Sequence, residues 1–190
     1  DIAVECLRVS FAYSKFPYRV RDCFGTIHFT KAACTIALRA LVSGSVAHLN
    51  GRIENPGPQF TGGIEVAVDR PITLNEEIIS ALQAKPQQII PSLHPRGRIK
   101  LRGRFGRDNP AQPTLDHQVT IELSDCAIKY DGFSYPIERI QGTVEIKNGR
   151  WDFRRLRGVN DSGQIDCNGT ILPLADGSRQ LELMFTGTAI

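Results

Sequence analysis

Four histidines, five cysteines and one segment with six basic residues in twelve are where side-chain chemistry could concentrate in this 190-residue sequence. His28, His48, His94 and His117 lie far apart in the chain, with no metal-ligand spacing between them and no nucleophile motif beside them. Cys6, Cys23, Cys34, Cys126 and Cys167 form no C-x-x-C pair, which argues against a zinc site. Asp161-Ser162-Gly163 sets a hydroxyl beside an acid, but the triplet reads as a loop. A carbohydrate-cleaving carboxylate pair would want stacking surfaces, and aromatic content is 7% with Trp151 the sole tryptophan. No catalytic residue, metal ligand or cofactor site is therefore expected, and the chain reads as a non-enzyme.

The basic segment, residues 96–107, separates cleanly if it is a strand, because successive side chains then point to opposite faces. Arg98, Lys100, Arg102 and Arg104 fall on one face. Ile99, Leu101 and Phe105 fall on the other, with Gly103 among them. The cations could meet anionic groups, either lipid phosphates or nucleic acid. They could equally form a solvated face that discourages edge pairing. Single-stranded nucleic acid would call for exposed aromatics among the charges, and Phe105 is on the apolar side, which argues against that partner.

The elements around this segment repeat. Ile2, Val4, Cys6, Val9, Phe11 and Tyr13 recur 117 positions later as Val119, Ile121, Leu123, Cys126, Ile128 and Tyr130. The break in alternation is copied too, at Leu7-Arg8 and Ser124-Asp125, and predicts a bulge in each copy. Gly25-Thr26-Ile27 matches Gly142-Thr143-Val144. After one inserted residue, Asn50-Gly51-Arg52-Ile53 matches Asn168-Gly169-Thr170-Ile171, and residues 63–66 correspond loosely to 180–183. Such a repeat implies an array whose units bury one another's faces. Residues 1–117 form the first unit and 118–190 a second, truncated one. Every cysteine aligns with an apolar residue of the other copy, so all five are expected as buried thiols, with a Cys6–Cys126 disulfide left open.

Turn signals divide the alternating segments into an antiparallel meander, the clearest being Lys147-Asn148-Gly149-Arg150 as a type I′ hairpin. The Asn-Gly pairs at 50 and 168 are expected inside strands. One segment has helical spacing instead: Asn75 caps Glu76-Glu77 and Ile78, Ile79 and Leu82 follow, predicting a short helix near 75–83. The fold class is therefore mainly β, an antiparallel curled sheet built from internal repeats with one short helix.

The net charge of +3 is too small to demand a polyanion, and 41% hydrophobic content without a run of about 20 apolar residues gives no bilayer-spanning segment. The chain starts without Met or a signal peptide and stops within an alternating pattern. Any targeting signal or anchor is expected outside these residues.

Tyr135-Pro136-Ile137-Glu138-Arg139-Ile140-Gln141-Gly142-Thr143-Val144, then Asn148-Gly149-Arg150, Leu156-Arg157-Gly158 and Ile165-Asp166-Cys167-Asn168-Gly169-Thr170, read as loop, Gly-led strand, hairpin and strand. With the segment 71–82 and Leu93-His94-Pro95-Arg96-Gly97, this order resembles the AsmA-like proteins of bacterial envelopes, over most of the chain. The resemblance implies a taco-like β-groove in the periplasm, anchored in the inner membrane by a segment outside this sequence, that conducts phospholipid for outer-membrane biogenesis. It carries over no catalytic residue. Five cysteines depart from what a periplasmic protein usually holds unless they are buried.

On that reading Ile99, Leu101, Phe105, Ile121, Leu123 and Ile128 are the acyl-chain contacts, and Arg98, Lys100, Arg102 and Arg104 the contacts to anionic groups. Two other classes fit the same residues: a structural or adhesion-type β-repeat with a closed core, and an anion- or nucleic-acid-binding module on the basic strand. The oligomeric state is not written in the sequence.

Overall fold

The computed structural model describes residues 1–13, 16–82, 92–161 and 163–189. Twelve strands and one helix follow in chain order: β1 (Ile2–Tyr13), β2 (Phe16–Phe29), β3 (Ala33–Val42), β4 (Ser45–Glu54), β5 (Thr61–Val68), β6 (Ile72–Thr73), α1 (Glu76–Leu82), β7 (Arg96–Arg107), β8 (Asp116–Tyr130), β9 (Phe133–Lys147), β10 (Arg150–Asn160), β11 (Gly163–Pro173) and β12 (Arg179–Ala189). The twelve strands of the described residues belong to one antiparallel sheet that does not close, in the order β1-β2-β3-β4-β5-β7-β8-β9-β10-β11-β12, with β6 beside β7.

The duplicated pattern has a duplicated register. β1 meets β2 through Ile2↔Phe29, Val4↔Ile27, Cys6↔Gly25, Val9↔Cys23 and Phe11↔Val20. β8 meets β9 through the residues 117 positions on: Val119↔Ile146, Ile121↔Val144, Leu123↔Gly142, Cys126↔Ile140 and Ile128↔Ile137. Arg8 and Asp125 have φ of 64° and 52°, so each broken alternation is a bulge with one residue in the left-handed region. Asp22 and Arg139, at 50° and 51°, repeat the device on the partner strands.

The inserted residue of the second copy is absorbed at one place. β2 and β3 pair without interruption from Phe29↔Cys34 to Phe24↔Arg39. β9 and β10 follow the same register from Ile146↔Trp151 to Thr143↔Arg154, then slip to Gln141↔Arg157. Arg155 sits in the slip with φ 50°, and its backbone N–H donates to Asn168 Oδ1 at 2.7 Å. A further slip precedes β12. Gly51 faces Ile64, and Gly169 faces Leu183, so Ile64 corresponds to Leu183, two residues beyond the Leu181 suggested by the loose sequence match.

The hairpin at Asn148-Gly149 forms with φ of 49° and 86°, joining β9 to β10. The other two Asn-Gly pairs lie within β4 and β11. There the glycine is required by a close approach: a Cβ on Gly51 would stand 2.5 Å from the Gly63 carbonyl oxygen, and one on Gly169 would stand 2.2 Å from that of Glu182.

α1 is capped as its sequence predicts, Asn75 Oδ1 accepting the Ile78 N–H at 2.9 Å. Residue 83, the last of the expected helix, lies outside the described residues. Ile78 is buried in one cluster with Val42, Ala47, Val68, Ile72, Ile99, Cys126 and Ile140, and Tyr18 and Val20 of β2 pack against the same cluster. In a flat sheet β2 and β7 would be about 19 Å apart, four strand spacings. Their meeting around α1 shows that the sheet is curled with this helix inside the curl.

Candidate functional site: a continuous apolar sheet face

Directly opposed residues share a face of an antiparallel sheet, so the register can be followed from edge to edge. One row runs Cys6, Gly25, Leu38, Leu49, Val66, Gly103, Val119, Ile146, Trp151, Ile171, Leu181. It crosses all eleven strands of the sheet path without a polar side chain. A parallel row runs Leu101, Ile121, Val144, Phe153, Gly169, Leu183. The face results from each strand's alternation being locked in register with the next.

This face is covered in the middle and open at its flanks. Over the middle, α1 lies as a strap, its Ile78 in the same buried cluster as Ile99, which is only 4% exposed and has Ile72 of β6 as its neighbour within the sheet. Leu101, Ile121, Leu123 and Ile128 are half-buried against the same cluster. Phe105 lies farther along β7, opposite Ile64, and is exposed. At one flank Ile2, Val4 and Phe29 are exposed; at the other so are Leu181 (58%), Leu183 and Phe185 (57%). Trp151 and Phe153, 6.4 Å apart between ring centroids, stand half-buried just inside that second flank. None of these flanking residues was among the acyl-chain contacts expected from the sequence, although the alternation at 181, 183 and 185 marks three of them.

A buried cation interrupts the apolar face. Arg107, opposite Gly62, is buried, and its guanidinium donates to the carbonyls of Phe60 (2.9 Å), Gln112 (3.0 Å) and Pro58 (2.6 Å). It also stacks 4.6 Å over the Phe60 ring. The side chain thus ties the loop after β4 to the loop after β7, and is a staple for two backbones. Asn160 is also buried, its amide donating to the Pro136 carbonyl.

The opposite face carries the charges. Arg98, Lys100, Arg102 and Arg104 do lie together there, on the centre of the sheet. Neighbouring strands bring acids to them: Lys100 is opposite Glu122, and Arg104 is opposite Glu65 and pairs with Asp108 at 2.7 Å. Farther along, Arg154 pairs with Glu145 and Arg157 with Asp166, each at 2.9 Å. The result is a face of mixed sign. The hydrogen bonds from Gln164 and then Arg157 hold the Asp166 carboxyl below its ordinary range, and Arg150 does the same for Asp152. A small apolar patch breaks this face in the first copy: Phe24, Leu41 and Val46 border a hollow of about 450 Å³ beside Arg8, Asp22 and Arg39. The register equivalents of Phe24 and Val46 are Gln141 and Gln164.

All five cysteines are buried and free, so the open disulfide does not form. Burial raises the thiols of Cys23, Cys126 and Cys167 above the ordinary value. The histidines stay apart: His48 contacts Asp69, His94 contacts Asp131 at 2.7 Å, and His117 Nε2 accepts the Gly149 N–H at 3.2 Å. Among the described residues no three His, Cys, Asp or Glu side chains gather as metal ligands. No helix there is long and apolar enough to cross a membrane.

Comparison with protein-family models, curated proteins and solved structures found no match to this chain.

Proposed function

We propose that this protein is a non-enzymatic, AsmA-like repeat of the bacterial envelope whose apolar sheet face holds the acyl chains of phospholipid and conducts them between membranes. The observation that carries the reading is the unbroken apolar row across eleven strands, on a face that is exposed at Ile2, Val4 and Phe29 on one flank and at Leu181, Leu183 and Phe185 on the other. An acyl chain laid on such a face loses water from its methylenes at about 0.8 kcal/mol per CH₂, so a dozen give on the order of 10 kcal/mol before ordering costs. No specific pocket is needed, and a sliding cargo meets few polar groups that would hold it. On this reading the cargo runs along Trp151, Phe153, Leu181, Leu183 and Phe185, and along Ile2, Val4 and Phe29, rather than over Ile99. The periplasmic setting and an inner-membrane anchor outside these residues belong to the same proposal.

A second reading, a structural β-repeat with its own filled core, is favoured by the strap, which buries Ile99 among eight mutually packed side chains. Trp151 separates the two, because it is the sole tryptophan and stands on the apolar face. The protein is mixed with vesicles of phosphatidylcholine brominated on the acyl chains, separated from them, and read by fluorescence and native mass spectrometry. Bound phospholipid with quenched Trp151 emission supports the groove. Lipid-free protein with unchanged emission sinks it and leaves the structural repeat.

A further inference from the structure

The outermost strand β1 carries a near copy of the surface that β8 presents to β7. β7 lies on β8 through Arg98↔Ser124, Ile99↔Leu123, Lys100↔Glu122, Leu101↔Ile121 and Gly103↔Val119. The residues 117 positions earlier are Leu7, Cys6, Glu5, Val4 and Ile2, so the acid opposite Lys100 and the apolar alternation are both retained. The bulge is retained as well, at Arg8 and Asp125. It matters for what can lie alongside. At the level of the β8 bulge β7 has Gly97, where a Cβ would stand 2.4 Å from the Cys126 Cα and 2.6 Å from the Asp125 oxygen. The partner of such a strand must be glycine at that level. The two strands differ in cover: Val119 and Ile121 are half-buried beside β7, whereas their equivalents on β1, Ile2 (64%) and Val4 (41%), are exposed, and Cys6, the equivalent of Leu123, is buried.

We infer that the free edge of β1 is an acceptor for an added extended segment with the pattern of β7: apolar residues alternating with cations, one cation facing Glu5, and a glycine level with Arg8. Main-chain hydrogen bonds would supply affinity, and the alternate side chains and the glycine would supply register. The matching edge of β12 is a poorer acceptor, because Met184 stands where β5 offers Glu65 to Arg104. The inference does not rest on lipid binding.

The test adds a labelled synthetic peptide with the sequence of residues 96–107 to the full 190-residue protein, following anisotropy and amide hydrogen exchange. Binding at one peptide per protein with new protection of β1 amides is expected. A peptide carrying Gly97→Val, or one of the same composition with its order scrambled, is expected to bind at least tenfold more weakly. Glu5→Lys in the protein sets like charges opposite each other and is expected to weaken the native peptide about two- to fivefold. Equal binding of the scrambled peptide would reduce the effect to charge and overturn the inference. Protection confined to β12 would also overturn it, as would dimers joined through β1 without peptide, which would make a second copy the occupant.

Discussion

Replacing Asn168 with alanine should cost stability, and the same change at Asn50 should not, although the two residues occupy equivalent register positions on β11 and β4. Asn168 Oδ1 accepts the N–H of Arg155, the residue inserted into the second copy, whereas no side-chain hydrogen bond of Asn50 is found among the described residues. One neutral hydrogen bond to a backbone donor is worth about 1 kcal/mol net. For a chain of this size that is a fall in Tm of about 2–4 °C, with a lower urea midpoint at unchanged slope. Asn50→Ala should stay within about 0.5 kcal/mol of the parent, as exposed substitutions do. Arg155→Gly supplies the complementary perturbation. It relieves a left-handed residue at φ 50°, worth roughly 1–2 kcal/mol, against about 0.5–1 kcal/mol of added chain entropy in the unfolded state. A small net stabilisation is expected. Equal losses from Asn50→Ala and Asn168→Ala in urea titrations would refute the reasoning, because the bulge and its amide would then contribute nothing.

Ile78→Ala should destabilise by about 2–4 kcal/mol, since a 5%-exposed side chain leaves the cluster around Ile99, and dye binding to the uncovered face should rise in the same variant. Arg107→Met removes three carbonyl contacts and should cost about 2–4 kcal/mol, read as a lower urea midpoint; an unchanged midpoint would mean that the two loops hold themselves. The Asp152 and Asp166 carboxyls are held below the ordinary value of 3.8, so their stabilisation is complete above about pH 5 and is lost as pH falls through the lower folded values. Asp152→Asn and Asp166→Asn should flatten stability between pH 5 and about 2 without steepening it above pH 7. The buried thiols should react with a disulfide reagent at pH 8 only on unfolding, when all five become available; fast labelling of Cys23 in the native protein would contradict its burial.

The strands, both bulges, the hairpin at Asn148-Gly149 and the cap at Asn75 were legible because each rests on local chemistry or on a pattern present twice. The two faces of β7 were legible for the same reason: period two assigns Ile99 and Lys100 to opposite sides whatever surrounds them. What surrounds them was not legible. The apolar spacing of Ile78 says that it is buried, not that it is buried over Ile99, since the covering contact joins elements distant in sequence. Arg107 counted among six cations, yet it alone turns to the inner face and satisfies backbone carbonyls, a role set by two loops with no sequence signature. The insertion was visible as a change of offset, but its place at Arg155 follows from which strand could bulge and which side chain could satisfy the freed N–H. Whether the apolar face is open had no single answer to read: the strap fills the centre and leaves the flanks.

The strand order has a kinetic consequence. Apart from β5 to β7, which brackets β6 and α1, every main pairing joins a strand to the next one in the chain. Closing each hairpin orders only a short loop, so the entropy of pairing is met in small instalments and mean contact separation stays low for a sheet of this width. During synthesis, each new strand can settle against the one before it as soon as both have left the ribosome. Growth then pauses at the long connection between β5 and β7, where β7 must wait for β6 and α1 to emerge.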